Sequence, residues 1–239
     1  GTVLITGANR GIGLALAQKF SKSGYTVIGT ARSPEKATDL KATGARIEKL
    51  DVTSQDSVEA LAGRLGDIPL DILINNAGGA QGDEWELDGF DQSLNINLAS
   101  AFHLSNACKP LLEASELKGG ASVIGIASMT SFFGYEWTPG YGAAKAGLSQ
   151  LIKTLGISWG PLGIRANAVA AGMTRTNLTS PAIDGMPEMI EGMFTRQGIK
   201  RVGQPEEIAS AVLYLTSPQA AWVTGQTLAV DGGFSTGMT

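Results

Sequence analysis

Thr2-Val3-Leu4-Ile5-Thr6-Gly7-Ala8-Asn9-Arg10-Gly11-Ile12-Gly13 is the stretch that decides how the rest of the chain is read. Its first five residues are β-branched or apolar and predict a short strand. Three glycines follow in the spacing G-x-x-x-G-x-G, and then Leu14, Ala15, Leu16, Ala17 and Phe20 carry a helical pattern as far as Ser23-Gly24. Strand, glycine turn and helix, in that order, form the context of a dinucleotide-binding site. Glycines let backbone approach a pyrophosphate, and the helix N-terminus offers unpaired amides and a favourable dipole. The usual spacing of such a turn is G-x-G-x-x-G, and this one departs from it.

Outward from that stretch the chain alternates. A second strand is predicted over 25–30, followed by Ala31-Arg32-Ser33-Pro34. A protein that binds NAD is expected to place an acid here for the ribose 2′-hydroxyl. No acid occurs until Glu35, and Arg32 stands in the region instead. A helix is predicted over 34–43 and a strand over 45–50, ending in Asp51-Val52. Ser54 should cap a helix whose Val58, Leu61, Ala62 and Leu65 keep helical spacing. A fourth strand over 70–74 ends in Asn75-Asn76-Ala77-Gly78-Gly79. A long helix from about 94 to 117, with Asn97 near its start, leads to a buried strand over 123–127. Another helix runs from about 141 to 160, with strands at 164–170 and 227–230. This alternation means βαβ units: a single α/β Rossmann domain over residues 1–239, doubly wound, with a seven-stranded parallel sheet buried on both faces. The irregular part is the insert 177–200, with Met186, Met189, Ile190, Met193 and Phe194 between Pro181, Pro187 and several glycines. It reads either as a mobile lid over an apolar pocket or as a helix hairpin packed on the core.

Composition narrows the function. The 239 residues are 43% hydrophobic and 17% charged, with a formal net charge of −4 and no basic run, so nothing suggests a nucleic-acid footprint. A single cysteine, Cys108, excludes an intrachain disulfide, and with His103 as the only histidine a Cys/His metal site is not expected. No apolar run approaches the ~20 residues of a membrane span, so no membrane partner and a cytoplasmic location are the expectation. The chain begins almost inside its first strand without an initiator Met, which leaves room for a missing N-terminal segment, a removed targeting peptide included.

The chemistry concentrates between 128 and 145. Ser128 follows an apolar strand, at the sheet edge where open α/β folds bind ligands. Tyr141 and Lys145 stand four residues apart on a helix, so phenol and ammonium share a face. A free phenol has a pKa near 10, and a fixed positive charge beside it favours phenolate.

With Asp51-Val52, Asn75-Asn76-Ala77-Gly78, Asn97, the closing Val223-Thr224-Gly225-Gln226 and Val230-Asp231-Gly232-Gly233 added, the chain resembles the classical short-chain dehydrogenases/reductases over essentially its whole length. The glycine spacing is that family's own. One departure is Ala171-Gly172, where the family usually has Pro-Gly. The resemblance implies a catalytic set of Asn97, Ser128, Tyr141 and Lys145. Tyr141 would be general acid toward a carbonyl, Lys145 would lower its pKa and hold nicotinamide-ribose hydroxyls, Ser128 would hold the carbonyl oxygen and Asn97 would position a relay water. It implies a cofactor site of Gly7, Asn9, Arg10, Gly11, Ile12, Gly13, Arg32, Asp51, Val52, Asn75, Ala77, Gly78, Tyr141, Lys145, Gly172, Thr174 and Thr176. Arg10 and Arg32 point to NADP(H) over NAD(H). A substrate pocket of Ser128, Phe133, Trp137, Tyr141, Met189 and Met193 implies a bulky apolar ketone or aldehyde. A 3-oxoacyl carrier-protein reductase, with Arg175, Arg196, Lys200 and Arg201 as a basic docking patch, is the rival, and a non-catalytic dinucleotide-binding sensor is a third reading. Family members commonly assemble through the two long helices, so a homotetramer or homodimer is expected, with the face of Leu148, Leu151, Ile152 and Leu155 as a candidate contact.

Overall fold

The run Thr2–Ile5 forms strand β1, and the glycine turn after it leads directly into helix α1 (Gly11–Lys22). In order there follow β2 (Thr26–Ala31), α2 (Thr38–Ala42), β3 (Arg46–Lys49), α3 (Gln55–Leu65) and β4 (Ile72–Asn75). Then come α4 (Leu87–Leu94), α5 (Ser100–Glu113), β5 (Ala121–Ser128), α6 (Pro139–Trp159) and β6 (Ile164–Ala171). The chain closes with α7 (Ser180–Gly185), α8 (Pro187–Arg196), α9 (Pro205–Thr216) and β7 (Thr227–Val230). This computed structural model describes residues 1–237.

All strand pairings are parallel, in the order β3-β2-β1-β4-β5-β6-β7. The order reverses between β1 and β4, and such a switch point opens a crevice at the carboxyl ends of the strands. Side chains alternate across the sheet. Leu4, Leu73 and Val123 face a core shared with Val58, Leu61, Leu104, Leu148 and Ile152. Val3, Ile5, Ile74 and Ile124 face the other, with Leu16, Phe20, Ile208 and Val212.

Four expectations change. The helix over 34–43 is instead a 3₁₀ turn at Pro34–Lys36 and a five-residue α2, of which only Leu40 is buried. The long helix begins earlier, at α4, and passes through a π-helical turn, Asn95–Ala99, before α5. Asn97 therefore sits mid-helix in the π turn and not near a helix start. Of the face Leu148, Leu151, Ile152 and Leu155, all but the half-buried Leu151 are buried against the sheet, so core packing accounts for most of that stripe. Phe102 and Ile157 are the exposed apolar residues of α5 and α6. Helix α9 was not foreseen, although Gln204-Pro205-Glu206-Glu207 carries its start signals: proline at N1 and a capping box between Gln204 and Glu207. Ser54 does cap α3, accepting from the Ser57 amide at 3.2 Å.

The insert forms two short helices, as a hairpin would, but only Ile183 and Ile190 of them are buried. Leu178, just before α7, is exposed and lies beside Gly79 at the crevice.

Candidate active site

Helix α6 sits tightly on β5 because Gly125 has no side chain. A Cβ there would stand 3.2 Å from both Leu148 Cγ and Ile152 Cγ1. That seating places the first two turns of α6 beside Ser128, the last residue of β5. The Ser128 hydroxyl accepts from the Thr130 amide at 3.2 Å and lies close enough to the Tyr141 phenol to influence it. Lys145 is buried, donates from Nζ to the Ile126 carbonyl at 2.7 Å, and stands 5.4 Å from the centre of the Tyr141 ring. Ser128, Tyr141 and Lys145 thus converge as their sequence positions suggest.

The electrostatics differ from expectation. Burial lowers the Lys145 pKa to about 8. The Tyr141 phenol is raised above its ordinary value, first by burial. The Ser128 hydroxyl pulls it down and the charge of Glu84 pushes it up, but burial dominates, and the phenol is not brought below its ordinary value despite the neighbouring Lys145. A phenol so placed keeps its proton at neutral pH.

Asn97 is buried, and its amide is occupied. Its Oδ1 accepts from the Gly79 amide at 2.9 Å, and its Nδ2 donates to the carbonyls of Gly79 and Ser93, both at 2.9 Å. Asn97 thereby anchors the turn after β4. A π turn leaves a backbone carbonyl without its usual helical partner, a feature frequent at functional sites. Sequence reading missed Glu84, a buried acid in the run Gly82-Asp83-Glu84-Trp85-Glu86. Its contact is with Tyr141, 57 residues away, and no local pattern signals that.

The crevice between β1 and β4 suits a dinucleotide. Gly7 and Gly11 hold φ of 61° and 54°, values glycine alone adopts freely. The first-turn amides of Gly11, Ile12 and Gly13 have no acceptor within the helix. Asn76, rather than its neighbour, fixes the turn: its Nδ2 donates to Thr6 O at 2.8 Å and Gly7 O at 3.2 Å. Asn75 instead turns its side chain to Ser105, at 3.0 Å, and Ala77 offers its amide to Thr6 Oγ1 at 2.9 Å. Gly78 must be small, since a Cβ would strike Asn97 Oδ1 and stand 3.3 Å from Lys145 Nζ. Asn9 is half-buried in the turn, and Arg10 and Arg32 are exposed. Asp51, beside Val52, takes two hydrogen bonds from Thr53, and these hold its carboxyl below the usual range with help from the Arg32 charge. A carboxylate therefore does stand near Arg32, contrary to the expectation of none.

Across the crevice, Ala171 continues β6 where a proline would end its ladder. Gly172 is forced by Asp231, whose Cα would lie 2.6 Å from a Cβ. Thr174 donates to the Gly172 carbonyl at 3.0 Å, and the Thr176 side chain packs close to Gly11.

Gly13 gives a test of this cradle. A Cβ there would drive into the Gly7 carbonyl and the Asn76 amide. Gly13→Ala should therefore shift the turn, lower stability by about 1–3 kcal/mol and weaken dinucleotide binding roughly tenfold or more, about 1.4 kcal/mol. A calorimetric melt with a binding titration checks it; unchanged affinity would remove the turn from the binding site.

The pocket residues fare unevenly. Phe133 packs on Phe234, ring centres 5.2 Å apart, and the Arg196 guanidinium lies over both rings. Phe234 was not foreseen. Met189 meets the Tyr135 hydroxyl, with Sδ at 3.5 Å, Met193 is half-buried, and Trp137 is exposed. A separate cavity of about 350 Å³ includes Gly172, Arg201, Glu207 and Asp231 but none of Ser128, Tyr141 and Lys145. Among the described residues no cluster of metal-ligating side chains occurs, and no helix is long and apolar enough to cross a membrane.

Comparison with known proteins agrees with this geometry. The family model described as enoyl-(acyl carrier protein) reductase matches residues 7–235. The 7alpha-hydroxysteroid dehydrogenase of Escherichia coli is 33% identical, over 96% of this chain and 92% of its own. A 3-oxoacyl-[acyl-carrier-protein] reductase of Vibrio cholerae is 34% identical, over 96% and 95%. Among solved structures, the Pseudomonas aeruginosa RhlG/NADP active-site complex superposes with a TM-score of 0.89 at 31% identity, covering 98% of this chain and 96% of that one. A glycine turn at the switch point, a Ser128–Tyr141–Lys145 cluster at the sheet edge and whole-length relatives of one kind lead to the same place: the chain belongs to the classical short-chain dehydrogenase/reductase family of oxidoreductases.

Proposed function

We propose that the protein is an NADP(H)-dependent oxidoreductase that interconverts a bulky, apolar ketone or aldehyde with its alcohol. The observation that carries this reading is the convergence of Ser128, Tyr141 and Lys145 beside the crevice. Ser128 holds the carbonyl oxygen, and Tyr141 gives that oxygen a proton as negative charge develops on it. Lys145 holds the ribose hydroxyls of the dinucleotide and keeps positive charge next to the phenol. The cofactor supplies the hydride, so no covalent intermediate with the protein is needed. Asn97 keeps the Gly78–Gly79 turn in place at the reacting end, and Thr176 is the partner of the nicotinamide carboxamide.

The carrier-protein reading has a relative in its favour and the surface against it. Arg175 pairs with Asp184 at 2.9 Å, and Arg201 pairs with Glu207. Arg196 is spent on the Phe133–Phe234 stack. Of the four basic residues only Lys200 keeps an exposed charge outside an ion pair among the described residues. An acidic carrier would find little to dock on. The exposed Trp85, Trp137 and Tyr135 near Met189 fit an apolar small molecule instead. Assembly as a homotetramer or homodimer, through faces of α5 and α6 that expose Phe102 and Ile157, belongs to the same proposal.

A panel of ketones and one acyl thioester, assayed with NADPH, tests the substrate class. Aryl and large alicyclic ketones should show kcat/KM at least tenfold above acetone-sized ones, since one buried methylene is worth roughly 0.8 kcal/mol. Equal efficiency on small polar ketones, or a preference for the thioester, would reject it.

A further inference from the structure

Helix α6 carries Tyr141 in its first turn, yet its own N-cap does not cap it: Thr138 makes no side-chain capping bond, and its Oγ1 has no partner. The cap comes from elsewhere in the chain. Glu84 Oε2 accepts from the Tyr141 backbone amide at 2.7 Å. Its Oε1 accepts from the Ser93 hydroxyl at 2.9 Å and from the Gln81 amide at 3.2 Å. Glu84 is 3% exposed, so these bonds and not water satisfy it. A carboxyl group that accepts from three donors and gives to none is in its ionised form. A buried anion at a helix N-terminus is also favoured by the helix dipole. Ser93 in turn lies 3.3 Å from Asn97 Nδ2, so one carboxylate ties the proton donor to the turn that Asn97 anchors.

We propose that Glu84 is a positioning residue for this reaction: its buried carboxylate caps the first turn of α6 and sets a negative charge beside Tyr141, the proton donor. The proposal rests on the reading of Tyr141 as proton donor. Few charges compete with it. Lys145 faces the phenol from α6, Ser128 faces it from β5 as a neutral hydroxyl, and Asn97 belongs to the neutral π turn. Asp83 and Glu86, beside Glu84, are exposed to solvent. Glu84 pushes the phenol upward and Ser128 pulls it down. With Glu84 ionised, alcohol oxidation, which needs phenolate, should rise only at alkaline pH, while reduction stays level through neutrality.

The chain has four tyrosines, so Tyr141 can be followed by ¹³Cζ-tyrosine NMR and assigned with Tyr141→Phe. In Glu84→Gln the amide oxygen still accepts from the Tyr141 amide but the charge is gone. The Tyr141 pKa should fall, with the other three tyrosines unmoved. The alkaline limb of alcohol oxidation should move to lower pH by the same amount. An unshifted Tyr141 in a folded Glu84→Gln protein would overturn the proposal. The titration needs no turnover, so its failure is told apart from failure of the reductase reading, which Tyr141→Phe kinetics report.

Discussion

Tyr141→Phe is expected to lower kcat for carbonyl reduction by about 10²–10⁴-fold, the usual worth of a positioned general acid. Dinucleotide affinity should stay nearly unchanged. The substitution removes one oxygen and leaves the ring that Lys145 Nζ faces at 5.4 Å. Lys145 keeps its bond to the Ile126 carbonyl, and Ser128 keeps its bond from the Thr130 amide. What is lost is the proton delivered to the carbonyl oxygen, and Ser128 cannot replace it, because a serine hydroxyl is a far weaker acid than a phenol. The loss should fall on kcat rather than on KM, since protonation belongs to the transition state. Steady-state rates combined with a fluorescence titration of the dinucleotide separate the two. Turnover within tenfold of wild type would remove Tyr141 from the role.

The second large effect concerns the cofactor. Wild-type protein should use NADPH with a kcat/KM about 10–100-fold above that for NADH, and Arg32→Asp should reverse much of that preference. Hydrogen bonds to a charged group are worth about 1.5–3 kcal/mol, and a guanidinium fork suits a phosphate. Arg10 and Arg32 are both exposed, so salt should shrink the preference. Asp51 lies within reach of the Arg32 charge. Removing that charge should therefore delete the proposed phosphate contact and also leave Asp51 unopposed beside the incoming aspartate, so that repulsion adds to the loss. kcat/KM for both cofactors at low and high salt checks the prediction. Equal use of the two by the wild type, or a preference for NADH, would refute it.

How far the sequence was legible depends on the range of the signal. β1, the glycine turn and α1 are consecutive and each carries its own pattern, so the switch-point site could be read directly. Tyr141 and Lys145 share a helix, and their spacing alone set them on one face. The insert was harder. Its apolar residues do form helices, but whether they pack on the core depends on neighbours that periodicity does not reveal, and only Ile183 and Ile190 are buried. The face of Leu148, Leu151, Ile152 and Leu155 was ambiguous for a similar reason, since an apolar stripe looks the same against a sheet as against a second copy, and all but Leu151 prove to be buried on the sheet. The π turn around Asn97 is a matter of hydrogen-bond register and leaves no mark in residue type. Glu84 stands in a run with Asp83 and Glu86, and no local pattern sets it apart from them. Only the fold brings it under α6.

The most direct test of the account is a stoichiometry: NADPH consumed and alcohol formed when wild-type protein turns over a large alicyclic ketone. One alcohol should form for each NADPH oxidised, with both rates lowered in parallel by about 10²–10⁴-fold in Tyr141→Phe. NADPH that binds while no ketone in the panel yields alcohol would contradict it and leave a dinucleotide-binding protein without this chemistry.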